Sequence, residues 1–211
     1  MTDLAAMRQE YETAGLDRAD LDDDPVTQFE RWLDDAVRVG LPEPNAMVLS
    51  TVDEAGQPWS RYVLLKGVGP DGFDFYSNER SNKGRHLAGH AHAAATVGWL
   101  GLHRQVNLAG PVVRVPDDAA DAYWASRPRG ARVAATASNQ SHPLADRDEL
   151  MAVVAEIDGS ADDHLPRPGH WGGWRIVPHT IEFWQGRPNR LHDRLRYVQG
   201  EDGWTIRRLA P

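Results

Sequence analysis

Only two of the 23 basic residues in this 211-residue chain are lysines, Lys66 and Lys83, and each lies in a segment suited to an anion. The first segment is Arg61-Tyr62-Val63-Leu64-Leu65-Lys66. Read as a strand, Arg61, Val63 and Leu65 share one face and Tyr62, Leu64 and Lys66 the other, so its two cations can serve two separate anions. An edge strand whose ends reach solvent has the same pattern, because Lys and Arg are mostly exposed. The second segment, Tyr76-Ser77-Asn78-Glu79-Arg80-Ser81-Asn82-Lys83, leaves a strand and enters a helix with Ser81 placed to cap it. Free N–H groups, a hydroxyl and Lys83 would cradle a phosphate there; a capped helix with a solvated lysine is the alternative.

A third group, Tyr123-Trp124-Ala125-Ser126-Arg127-Pro128-Arg129-Gly130-Ala131-Arg132, holds three arginines that can grip phosphate through forked hydrogen bonds. Arginines at a solvated helix terminus would read the same way. Ser138-Asn139-Gln140-Ser141 follows, with side chains able to bond a heterocycle. The fourth stretch runs Thr180-Ile181-Glu182-Phe183-Trp184-Gln185-Gly186-Arg187-Pro188-Asn189-Arg190-Leu191-His192-Asp193-Arg194. On a strand beginning at Arg190, alternation puts Arg190, His192 and Arg194 on one face, facing either an anionic ligand or solvent.

Other patterns do not meet the requirements of the chemistry they spell. Gly67-Val68-Gly69-Pro70-Asp71-Gly72 has the letters of a dinucleotide loop, but Pro-Asp-Gly is a turn and Phe73-Asp74-Phe75-Tyr76 alternates like a strand, so a hairpin is expected. His86, His90 and His92 lack the third ligand and general base of a zinc site, and no metal is expected. Ser141-His142 adjacency is not a catalytic pair without an orienting acid, and there is no G-x-S-x-G elbow.

The elements that must position these groups are short. Helical periodicity covers residues 5–15 and 26–39, the latter with Phe29, Trp32, Leu33, Ala36 and Val37 on one face. Strands are expected at 46–52, 59–66, 73–77, 93–99, 105–115, 174–177, 180–184, 190–198 and 204–207. Helices are expected around 82–90, 116–126 and 146–157, with a Pro/Gly-rich loop over 159–173. Strands that do not alternate regularly with helices argue against a doubly wound sheet and for a mostly antiparallel barrel with peripheral helices.

Hydrophobic residues at 41% allow a substantial core, and no apolar run approaches the roughly 18 residues of a membrane span. The N-terminus lacks a secretory pattern and there is no cysteine, so a cytoplasmic location is expected. The net charge of −8 disfavours nucleic acid as a partner. Yet residues 60–140 carry ten basic residues against six acidic ones, which favours local sites for small anions.

In order and number these segments resemble pyridoxine/pyridoxamine 5′-phosphate oxidase, a family of FMN-dependent enzymes. The likeness runs from Met7-Arg8-Gln9-Glu10-Tyr11 to Arg208-Leu209-Ala210-Pro211 and includes Arg104-Gln105-Val106, Trp171-Gly172-Gly173 and Glu182-Phe183-Trp184-Gln185-Gly186. It implies a mainly β fold with peripheral helices: a mostly antiparallel split β-barrel of the FMN-binding type, one domain with residues 1–25 as a helical arm. It also implies a homodimer with two FMN sites at the subunit interface. The activity implied is oxidation of pyridoxamine or pyridoxine 5′-phosphate by O₂ to pyridoxal 5′-phosphate and H₂O₂, with ammonia also released from the amine and hydride passing from substrate C4′ to flavin N5.

By matching positions, FMN would be held by Arg61, Tyr62, Val63, Leu64, Leu65 and Lys66, then Tyr76, Ser77 and Lys83, and further by Gln105, Gln140, Ser141, Trp184 and Arg194. The substrate phosphate would meet Lys66, Tyr123 and Arg127, and Arg190 and His192 would be the catalytic pair contacting substrate near its reacting carbon. Two positions depart from the family pattern: Asn82 stands where many members have Arg, and Ala131 where a serine often meets the substrate phosphate. A split-barrel flavin or deazaflavin reductase, which would consume a nicotinamide cofactor, and a carrier that binds flavin or pyridoxal phosphate without turnover remain the rival readings.

Overall fold

Asp24 starts the first long helix. Its carboxylate accepts from Thr27 N at 2.9 Å and Pro25 supplies a preset first turn, giving α1 (Pro25–Arg38). The computed structural model describes residues 3, 11, 13–159 and 165–211. The helix expected over 5–15 lies largely outside these; Tyr11 and residues 13–15, which are described, are not helical. One face of α1 carries Phe29, Trp32 and Ala36 into the core, where Phe29 meets Phe73 edge-on at 5.0 Å and Trp32 meets Phe183 at 5.1 Å. Burying each such aromatic contributes about 1.5–3 kcal/mol, so α1 is the plug on which the sheet curls.

The strands are β1 (Ala46–Val52), β2 (Pro58–Leu64), β3 (Gly67–Gly69), β4 (Gly72–Asn78), β5 (His92–Trp99), β6 (Arg104–Arg114), β7 (Trp171–Ile176), β8 (Thr180–Gln185), β9 (Asp193–Gly200) and β10 (Gly203–Leu209). The helices after α1 are α2 (Asn82–Gly89), α3 (Asp117–Ser126), α4 (Arg129–Ala137) and α5 (Arg147–Gly159). Every strand pairing is antiparallel, in the order β10-β9-β8-β6-β5-β1-β2 with a branch β3-β4-β7 returning to β6. The long β6 belongs to both arms: residues 104–109 pair with β8 and residues 112–114 with β7. Sharing one strand between two arms curls the sheet into the expected split barrel.

Gly67–Gly72 is the expected hairpin: Gly69 faces Gly72 across the Pro70-Asp71 turn, and Gly72 takes φ +133°. Three stretches differ from the expectation. β7 begins at Trp171, inside the stretch read as a Pro/Gly loop, because Gly172 and Gly173 are needed where Arg114, Tyr76 and Val115 press on the strand. The Ala-rich run 129–137, to which no element was assigned, is a helix begun after Pro128. β9 begins at Asp193 and not at Arg190.

Candidate active site

Where β2, the end of β4 and α2 meet α3 and α4, a cleft of about 870 Å³ opens. Among the described residues four cations line it, Arg61, Lys66, Lys83 and Arg127, and no acidic side chain does. In a protein of net charge −8 that segregation marks an anion site.

The first pair is Arg61 and Lys83. Ser81 caps α2, as the sequence predicts, with its hydroxyl 3.4 Å from Gly84 N, and Lys83 in the first turn folds back under the cap. Its ammonium donates to Ser77 Oγ at 3.0 Å, Ser81 Oγ at 3.3 Å and Gln140 Oε1 at 2.8 Å. Burial, and then the nearby Arg61 guanidinium, lower the Lys83 pKa to about 8. A buried ammonium beside a guanidinium with no counter-charge is costly unless an anion arrives.

The other two cations are Lys66 and Arg127. Burial lowers the Arg127 pKa; its guanidinium carbon lies 4.8 Å from the Trp171 ring centroid and 5.2 Å from that of Trp124. Its buried Nη1 has no hydrogen-bond partner among the described residues. A desolvated guanidinium nitrogen without an acceptor is rare in folded proteins and marks a missing partner. Tyr123, Tyr76 and Trp171 stack nearby, with Tyr76 and Tyr123 centroids 4.2 Å apart, giving the cleft a flat aromatic wall.

β2 ends the sheet path, so one edge of Arg61–Leu64 has no strand partner among the described residues. Side chains from both faces of this edge, Arg61, Tyr62, Val63 and Leu64, border the cleft, which is what exposure of the edge itself produces. Leu65 does not border it. Its side chain is buried in the core, its N–H donates to Asn45 O and its carbonyl accepts from Asn45 Nδ2, both at 2.9 Å. That interruption ends the strand and lets Lys66 reach the same cleft as Arg61 despite the alternation expected between them.

Gln105, Ser141, Trp184, Arg190, His192 and Arg194 do not line the cleft. Ser141 sits exposed at φ +72° in the loop after α4. Arg190 is not on a strand. Pro188 and Asn189 form a tight turn in which Asn189 and Arg190 have φ +56° and +63°, so alternation cannot align Arg190 with Arg194. A different row exists. Gln105, Trp184 and Arg194 are direct neighbours across β6, β8 and β9. Arg194 is held by the buried Glu182, with Nε donating to Oε1 at 2.7 Å, and Arg196 donates to the same carboxylate. His192 lies 4.6 Å from Trp184 by ring centroids, and its Nδ1 accepts from Arg187 N at 3.1 Å. Burial, then Arg190, lower its pKa.

Between this row and the cleft lies an apolar groove of about 650 Å³ that includes Val48, Tyr62, Leu64, Thr96 and Leu100, with Tyr62 77% and Leu100 86% exposed. Asn78 and Ser138, given no individual role from sequence, meet in the cleft through a 3.2 Å bond from Asn78 Nδ2 to Ser138 O, and Trp171 joins its wall only when β7 packs behind α3.

Residues 33–160 match the family model described as pyridoxamine 5′-phosphate oxidase, and residues 171–211 the pyridoxine 5′-phosphate oxidase C-terminal dimerisation region. A pyridoxine/pyridoxamine 5′-phosphate oxidase from Ralstonia nicotianae is 51% identical and one from Paraburkholderia phytofirmans 48%, each alignment covering 100% of both chains. Among solved structures, PhzG from Burkholderia lata, in complex with tetrahydrophenazine-1-carboxylic acid, superposes with TM-score 0.90 at 30% identity, covering 96% of this chain and 100% of its own. A pyridoxamine 5′-phosphate oxidase-related, FMN-binding protein from Nostoc punctiforme shares the fold at TM-score 0.73 and 16% identity, over 90% of this chain and 100% of its own. Full-length identity near one half, two family models that together span most of the chain, and a cation-lined cleft on a split barrel converge: the chain belongs to the pyridoxine/pyridoxamine 5′-phosphate oxidase family.

Proposed function

We propose that the protein is an FMN-dependent oxidase that converts pyridoxamine and pyridoxine 5′-phosphates to pyridoxal 5′-phosphate. The observation that carries this reading is one cleft lined by four cations and, among the described residues, by no acidic side chain, enough charge for one phosphate on the cofactor and one on the substrate. Arg61 and Lys83, with Ser77 and Gln140 at hand, fit the FMN phosphate, and the free edge of β2 offers backbone donors and acceptors to the polar rim of a flavin ring. Lys66, Tyr123 and Arg127 fit the substrate phosphate, Arg127 through its unpartnered Nη1. When bound, FMN supplies the N5 atom that accepts hydride from substrate C4′, and O₂ then takes the electrons to give H₂O₂.

The protein's own part is orientation. Phosphate grips at two points align reacting groups, an effect worth up to about 7–11 kcal/mol of barrier. Tyr76, Tyr123 and Trp171 present apolar surface that excludes water from one side. The Nδ1 lone pair of His192 is already used by Arg187 N, so the neutral ring carries its proton on Nε2. His192 therefore acts as a hydrogen-bond donor at Nε2 toward the substrate 4′ substituent, beside the fixed charge of Arg190.

Gln105, Trp184, Arg190, His192 and Arg194 stand outside the cleft of their own chain. A second copy seated on the exposed Tyr62–Leu100 groove would bring its row to this cleft, in keeping with the match of residues 171–211 to a dimerisation region. The decisive measurement feeds pyridoxamine 5′-phosphate to the FMN-loaded protein in air. Aldehyde and peroxide in equal amounts are expected. Bound flavin with neither product, or turnover only with a nicotinamide cofactor, would refute the oxidase.

A further inference from the structure

Thr51 lies at the inner end of β1 with 1% of its surface exposed, and its hydroxyl stands between groups from two other elements. Arg61, on β2, donates from Nη1 to Thr51 Oγ1 at 2.6 Å and to Leu49 O at 3.2 Å. His86, on α2, has its Nδ1 3.0 Å from the same Thr51 oxygen. A threonine hydroxyl has one proton, and a guanidinium is only ever a donor. Thr51 Oγ1 therefore accepts from Arg61, and either its own proton or its second lone pair engages His86 Nδ1, according to the ring's tautomer. The surroundings favour a neutral ring. Burial first, then Arg61, lower the His86 pKa against an opposing pull from Asp53, with Arg85 adding the least.

Both Nη1 protons of Arg61 are thus fixed to the barrel wall, while Nε and Nη2 make no hydrogen bond to protein among the described residues. Arg61 lines the cleft beside Lys83. We propose that Thr51 and His86 are positioning residues for the cofactor's phosphate: together they tether one nitrogen of Arg61 so that its remaining N–H groups are presented, already ordered, to the anion. This rests on the reading of Arg61 and Lys83 as the FMN phosphate site. The physical gain is pre-organisation, because a free arginine would lose its side-chain rotamer freedom on binding, whereas a tethered one has lost it during folding. Neither residue touches FMN or substrate in this scheme.

The test is FMN titration of the flavin-stripped protein, read by quenching of flavin fluorescence. Thr51→Val keeps the shape and removes the hydroxyl, and should raise the FMN Kd about tenfold, the scale of a lost hydrogen bond to a charged group. Thr51→Ser restores the hydroxyl and should bind close to wild type. His86→Leu, which removes the ring partner, should weaken FMN severalfold, and His86→Gln, whose amide can accept from or donate to the same hydroxyl, should largely recover it. At saturating FMN the Thr51→Val change should appear in cofactor affinity and not in substrate KM. Arg61→Ala is the control on the underlying reading: unchanged FMN affinity there would refute the phosphate-site assignment itself. If Arg61→Ala weakens FMN while Thr51→Val binds normally, or if Thr51→Ser is as weak as Thr51→Val, the tether is wrong. Should Thr51→Val fail to fold, the His86→Leu and His86→Gln pair decides, with equal affinities overturning the proposal.

Discussion

At the scale of single residues, the cleft is governed by charges placed where water is scarce. Lys83 has its three N–H groups occupied by Ser77, Ser81 and Gln140, all neutral, so nothing in the protein pays for its charge. Its pKa of about 8 in the folded chain, against 10.5 normally, means that the charge is carried at a cost below pH 8 and that this cost is relieved as pH rises toward 10.5. A bound phosphate reverses the preference and holds the proton on. FMN binding should therefore take up a proton above pH 8, and affinity measured by fluorescence should fall steadily between about pH 8 and 9.5. Lys83→Met should bind FMN at least about tenfold more weakly at neutral pH and lose most of that slope. A wild-type affinity flat across this range would show that Lys83 does not meet the anion. Both lysines were legible from sequence because so few compete with them, and Ser81 was legible as a cap from its position before the helix. Thr51 and His86 were not, since a threonine ending a strand and a histidine within a helix have no local mark of meeting each other.

At the scale of elements, close backbone approach is what aims the side chains. Gly84, one residue after Lys83, lies so near the carbonyl of Glu79 that a Cβ there would come within 2.1 Å of it. The first turn of α2 is thereby pressed onto the turn that leaves β4. Gly84→Ala should destabilise the fold by about 1–3 kcal/mol through overpacking and weaken FMN at the same time, by shifting Lys83. Thermal unfolding and FMN titration on one preparation check both; a stable variant with normal affinity would mean that α2 has room to move. Most elements were readable from period and turn chemistry, β1 to its last residue. The failures have tertiary causes. Gly172 and Gly173 look like loop residues until Arg114, Tyr76 and Val115 are placed against them, and the 188–190 turn looks like a strand start because alternation continues through it by letter. Gly130 and three arginines masked the Ala-rich α4 as a clamp. Arg127, just before Pro128, still lines the cleft, against Trp124 and Trp171.

At the scale of the molecule, two half-sites on one chain call for a partner. One chain carrying Lys83→Met and another carrying Arg190→Ala should each be nearly inactive alone. Co-refolded in equal amounts, they should regain about a quarter of wild-type activity, since half the dimers are mixed and each holds one intact site. No recovery beyond the sum of the two would mean that each chain completes its own site. None of this was visible in composition or periodicity, because a sheet face that meets a second copy and one that meets solvent can share the same alternation. The clasp of Asn45 on Leu65 has a consequence for what the assembled cleft can accept. On the proposed reading Arg61 and Lys66 grip different phosphates, and five residues of chain can separate their backbones by no more than about 18 Å. With Leu65 pinned, that length cannot stretch or slip. On that reading the strand is a ruler: it limits how far apart two phosphates can be when their rings lie together, and it would reject a pair of ligands by length before any atom of either ring is read.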